Sequence, residues 1–153
     1  MNWTDRNWFS DYIKAGKTPT AHEILEALSE HQSARIRRRV AENESTPASI
    51  LKKLSEDSDP DVRLAAGTNR AAPLEIVLDL VRDPDPSVRH GLAEDPYISV
   101  GVLRSLANDD NPYVSCRAQK TLASFYDRLA KERRQGKILS FPLSTGSLDC
   151  LAT

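Results

Sequence analysis

The chain has 153 residues, which reads as one domain on length alone, and its 21 Lys and Arg nearly balance 22 Asp and Glu. That balance leaves no overall field to favour nucleic acid or an anionic membrane. Two cysteines, Cys116 and Cys150, make no disulfide framework, and no apolar run could span a bilayer. With no signal-like start, the expectation is a soluble, cytoplasmic protein without a membrane partner.

Residues 1–17 concentrate large aromatics, including both tryptophans: Trp3, Trp8, Phe9 and Tyr12, with Ile13 beside them. Trp8, Phe9, Tyr12 and Ile13 recur at helical spacing, and Gly16 is placed to stop the helix. The segment does not follow the periodic pattern that begins after it. Its first reading is a capping helix, with an aromatic docking surface as the alternative.

From residue 18 a 26-residue period sets in. Ile24, Ile50, Ile76 and Val102 share a column, as do Leu25, Leu51, Val77 and Leu103. Leu28, Leu54, Leu80 and Leu106 form a third, and Ile36, Val62, Val88 and Val114 a fourth. Self-similarity at such a period marks a solenoid or array. Within Thr46–Asn69, Thr46-Pro47 predicts one helix start, with the threonine hydroxyl at the cap and proline at the first position. Asp59-Pro60 predicts a second, repeated by Asp85-Pro86 and Asn111-Pro112. Asn43, Asn69 and Asp95 close the second segment, either in a left-handed conformation or by bonding nearby amides. Each copy is expected to pair a helix of about three turns with a very short segment, where 3-10 geometry is plausible.

The pattern TPxxxLxxLxxDxDPxVRxxxAxN, over roughly residues 18–122, resembles the leucine-rich repeat variant family, and its Asp-Pro-x-Val-Arg portion is similar to HEAT-type repeats. The resemblance implies an all-α fold: a right-handed α-solenoid of about four two-helix repeats with helical N- and C-terminal caps. It implies a scaffold rather than a reaction. Some members carry a cysteine-rich iron–sulfur segment; this chain has no cysteine cluster, so no cofactor is carried over.

The first copy holds the densest charge cluster, Arg35-Ile36-Arg37-Arg38-Arg39. Column 37 continues as Arg63 and Arg89 and is lost at Ser115, beside a ladder of acids at Asp57, Asp83 and Asp109 and at Asp59 and Asp85. The ladders read as charge pairing from copy to copy. A phosphate-tracking groove, as in HEAT-like DNA glycosylases, is the alternative, although such grooves are usually strongly basic. In the second copy Asp57, Asp59 and Asp61 imitate a calcium loop, but Val62 and Thr68 stand where that loop needs glycine and glutamate. In the third copy Leu74 and Leu78 lie i, i+4 outside the core columns and hint at an interaction surface.

The fourth copy decays and runs into one long helix, with Val114, Ala118, Leu122, Phe125 and Leu129 on one stripe and an end near Gly136. Residues 137–153 form a tail that is flexible or docks elsewhere; Ile138, Leu139, Phe141, Pro142 and Leu143 give it an apolar patch. Cys150, fourth from the end, lacks the basic run and last residue that prenylation favours. Residues 1–136 are thus expected to be one solenoid domain.

His22, His31 and His90 fall in different columns, no glycine-rich phosphate loop follows a strand, and no nucleophile–base order can be nominated. The expected function is a non-catalytic scaffold or adaptor that binds another protein, without metal or cofactor. Arg37, Arg63, Arg89, Leu74 and Leu78 are the candidate contacts. Nucleic-acid binding is the alternative, and an accessory or lyase role on a protein partner a further one. If the arginine ladder is exposed, Arg63→Ala should cost far less than the roughly 2–5 kcal/mol of Leu54→Ala.

Overall fold

The computed structural model of the chain describes residues 6–17 and 21–135, and side chains from residue 10 onward. Trp3, the 137–153 tail and the side chains of Trp8 and Phe9 lie outside the described residues, and so do the readings that rest on them. The described residues form nine α-helices and no strand. They are α1 (Arg6–Gly16), α2 (His22–Ser29), α3 (Ala34–Ala41), α4 (Ala48–Leu54), α5 (Pro60–Thr68), α6 (Leu74–Leu80), α7 (Pro86–Glu94), α8 (Val100–Leu106) and α9 (Pro112–Arg134).

From α2 onward the even helices start 26 residues apart, and so do α3, α5, α7 and α9. The odd helices pack each on the next, from α1 through to α9, while α2, α4 and α8 lie against the odd helices on both sides and α6 against α5. Between the rows sits the core. Leu28, Leu54, Leu80 and Leu106 face Ile36, Val62, Val88 and Val114, and all eight are buried.

Proline and a capping side chain start α5, α7 and α9. Asp59 Oδ1 accepts from the Asp61 and Val62 N–H groups, Asp85 Oδ1 from that of Ser87, and Asn111 Oδ1 from that of Tyr113. In each case proline follows at the first helical position, where its missing N–H costs nothing.

Several expectations are corrected. After the first copy, whose two helices have 8 residues each, the first helix of a copy is the shorter one: α4, α6 and α8 have 7 residues, about two turns, whereas α5 and α7 have 9. Nor is the second segment a 3-10 helix; a capped, proline-led start sets ordinary α geometry. Tight i→i+3 bonds fall instead in the turns after the even helices, as from Asp57 N–H to Leu54 O and Asp83 N–H to Leu80 O. Thr46 does not cap α4. Pro47 holds the N-cap position, and the Thr46 hydroxyl, 1% exposed, donates to Val40 O at 2.6 Å. That carbonyl at the end of α3 lies within reach, and bonding it leaves no buried hydroxyl unpaired. Ile24 is 40% exposed although Ile50, Ile76 and Val102 are buried, because α2 begins its row and no even helix precedes it among the described residues.

The asparagines tie copies together, and Asn69 is not left-handed but extended, at φ −66° and ψ 132°. Asn69 Nδ2 donates to Ala41 O at 2.6 Å and Asn43 O at 3.0 Å. Asn43 repeats this on Ala15 O at 2.7 Å and Lys17 O at 3.0 Å. Both pairs lie 28 and 26 residues back, so α1 occupies the register of an odd helix. Residues 6–17 therefore continue the period in space although the sequence hides it: Lys17 stands where Asn43 and Asn69 close their helices.

Candidate interaction surface

The arginine column is consumed by the scaffold. Arg37 grips Asp57 with Nε–H and Nη2–H at 2.6 and 2.7 Å, Arg63 grips Asp83 at 2.7 and 2.9 Å, and Arg89 grips Asp109 at 2.7 and 3.0 Å. The third nitrogen of each fork, Nη1, donates to a backbone carbonyl of its own copy: His31, Asp57 or Asp83. Each aspartate also accepts the N–H two residues on, that of Asp59, Asp85 or Asn111. The planar fork makes such two-pronged pairing specific to arginine.

The copy-to-copy charge pairing read from the ladders is present, but the ladder is not the exposed one that partner contact through Arg37, Arg63 and Arg89 presumes. The arginine side chains are only 14–16% exposed and their aspartates 3–9%. The column ends at Ser115 because no later copy supplies an aspartate; the position twenty residues on is Gln135. It does not extend backward either, since Asp11 and His31 occupy the two positions.

The Arg89 fork holds the Asp109 carboxyl below the usual carboxylate range, outweighing burial. At Asp57 burial is the strongest influence and pushes upward, but the Arg37 fork and the Asp59 N–H together still hold it low. A carboxyl lowered in the folded state adds stability above its unfolded pKa of about 3.9, and that stability is lost as pH falls through the folded value. The urea midpoint should therefore hold from neutral pH to about pH 5 and drop below about pH 4. Arg89→Ala should flatten part of that drop, and an unchanged acid profile would count against the ladder as its source.

The rest of the basic cluster lies on one face of α3. Arg35, Arg38, Arg39 and Glu42 line a cavity of about 500 Å³ with Tyr12 of α1. Arg38 Nε–H donates to Glu42 at 2.8 Å, and the Arg39 guanidinium lies 5.5 Å from the Tyr12 ring centroid. Arg39 also rests on Gly16, where any side chain would collide with it. A larger residue at Gly16 would first have to displace the flexible end of the Arg39 side chain.

Leu74 and Leu78 lie on the outer face of α6, 58% and 51% exposed. The Leu78 position is exposed in every copy, yet the others carry Glu26, Lys52 and Arg104. Leu74 also lines a second cavity, of about 480 Å³, with Val77, Tyr97 and Ile98. Tyr97 is 75% exposed, and the Arg70 guanidinium lies over its ring at 4.9 Å. Sequence reading missed Tyr97 and Arg70. The signal was present in the columns: Tyr97 stands where earlier copies have Ser45 and Ala71.

Among the described residues no three of His, Cys, Asp and Glu converge on a metal-sized site, and no helix is long and apolar enough to cross a membrane. Comparison of the chain with family models, curated proteins and solved structures found no match.

Proposed function

We propose that the chain is a non-catalytic scaffold or adaptor: a right-handed α-solenoid of about four repeats that binds another protein on the α6 side. The observation that carries this reading is the exposed apolar group Leu74, Leu78 and Tyr97, at positions where other copies, Val100 excepted, carry polar or small residues. A repeat scaffold can vary its outer columns without disturbing the core, so a departure on the surface is free to serve recognition. The resemblance to leucine-rich repeat variant and HEAT-type proteins supports a scaffold, and the cytoplasm is the compartment that the reading favours. With their forks engaged by aspartates, Arg37, Arg63 and Arg89 leave the two leucines as the leading contacts.

A Leu74→Asp/Leu78→Asp double variant should lose about 2 kcal/mol or more of affinity for the protein that the wild type captures, the scale of a hot spot. Its thermal midpoint should stay near that of the wild type, because both side chains are already exposed. Retained binding would remove α6 from the interface. Binding instead to a random duplex, with steep salt dependence, would replace the reading with a nucleic-acid one.

A further inference from the structure

Four carbonyls near the ends of the odd helices recur at 26-residue spacing: Ala15, Ala41, Gly67 and Ala93. Three of them receive a side-chain proton from the following copy. Asn43 Nδ2 donates to Ala15 O at 2.7 Å, Asn69 Nδ2 to Ala41 O at 2.6 Å, and Thr121 Oγ1 to Ala93 O at 2.7 Å. The residue in register with Gly67 is Asp95. An ionised carboxylate only accepts, and Asp95 Oδ1 is already turned to the Tyr97 N–H at 2.9 Å. Among these four positions, here alone the residue in register with the carbonyl is an acceptor rather than a donor.

Asn69 O has the same shortage. Its counterpart Asn43 O takes two protons, from the Thr46 N–H at 3.0 Å and from Asn69 Nδ2 at 3.0 Å. Asn69 O takes the Ala72 N–H at 2.9 Å, and the second donor is the one that Asp95 cannot supply. The 480 Å³ cavity opens at this same place, with Gly67, Asn69 and Asp95 at one end and Leu74, Val77 and Tyr97 along it. Arg70, the cation in its lining, lies over Tyr97 and makes no ion pair with Asp95.

We propose that this notch receives a lysine side chain of the partner protein that docks on α6. An ammonium has three protons to give, matching Gly67 O, Asn69 O and the Asp95 carboxylate, and its charge offsets that of Asp95. The four-carbon stem lies along Leu74, Val77 and Tyr97, as long cationic side chains do on apolar surface. The proposal rests on the reading of α6 as a docking face, so its test uses a small probe that needs no partner.

The full chain is titrated with Nα-acetyl-lysine methylamide, followed by backbone amide NMR, and then with the norleucine analogue. The lysine probe should move the Gly67, Asp95 and Tyr97 amides saturably and bind at least about tenfold tighter than norleucine, a difference of about 1.4 kcal/mol. Asp95→Asn supplies the missing donor internally. It should abolish the preference for lysine while raising the thermal midpoint by about 4 °C. Equal binding of the two probes, or an Asp95→Asn variant that keeps the preference, would overturn the notch. A midpoint that fails to rise would overturn the register on which it is built. If the probe binds as expected while Leu74→Asp/Leu78→Asp leaves partner capture intact, the docking face fails and the notch stands.

Discussion

Arg63→Ala should destabilise the chain by about 3–5 kcal/mol, the range for removing one partner of a buried ion pair. The Asp83 side chain, 3% exposed, keeps the Asp85 N–H at 2.9 Å but loses both prongs of its fork. The Asp57 carbonyl loses its Nη1–H donor at the same stroke. Urea unfolding, with signals that agree on one transition, is the measurement. Adding Asp83→Asn to Arg63→Ala should recover part of the loss, because the orphaned charge is then gone. A single-variant cost below about 1 kcal/mol would class the pair with ordinary surface bridges and refute its structural role.

Leu54→Ala should cost about 2–5 kcal/mol by the same measurement. Leu54 is 1% exposed and belongs to the column that fills the space between the two rows of helices. Its truncation removes transfer free energy and leaves a void among neighbours already in close contact. Arg63 and Leu54 should thus prove comparable, although one is a charged side chain and the other sits in the apolar core. A Leu54 cost far below the range would mean that the rows close over the gap.

Much of the architecture was legible because it is periodic. Asp59, Asp85 and Asn111 behave as the caps that their place before proline predicts, and two of the four apolar columns are buried throughout. What the pattern could not convey was depth. A guanidinium reads as surface until a carboxylate twenty residues on is seen to meet both of its prongs. Thr46 reads as a cap because a hydroxyl before Pro47 usually is one, and only the position of Val40 O shows otherwise. The role of α1 was hidden for a different reason. Its membership is carried by backbone carbonyls, which have no letter in the sequence, and was visible only once Asn43 was seen to reach Ala15 and Lys17. Of the surface site, Leu74 and Leu78 were legible as departures from helical patterning. Asp95 was passed over as one more polar helix end, since the Asn/Asp difference matters only to a group that must donate.

The spacing of the arginine forks bears on how such a chain can change length. Each arginine meets the aspartate twenty residues later, and Asp57 and Asp83 each lie six residues before the arginine of their own copy. Excision or duplication of one whole 26-residue unit re-forms the same sockets from different copies, so every guanidinium still finds its carboxylate. A change of any other length leaves a charge stranded in a poorly hydrated seam. The ion pairs thereby act as a ruler, tolerating growth and loss only in whole modules, with surface identity free to differ from one module to the next.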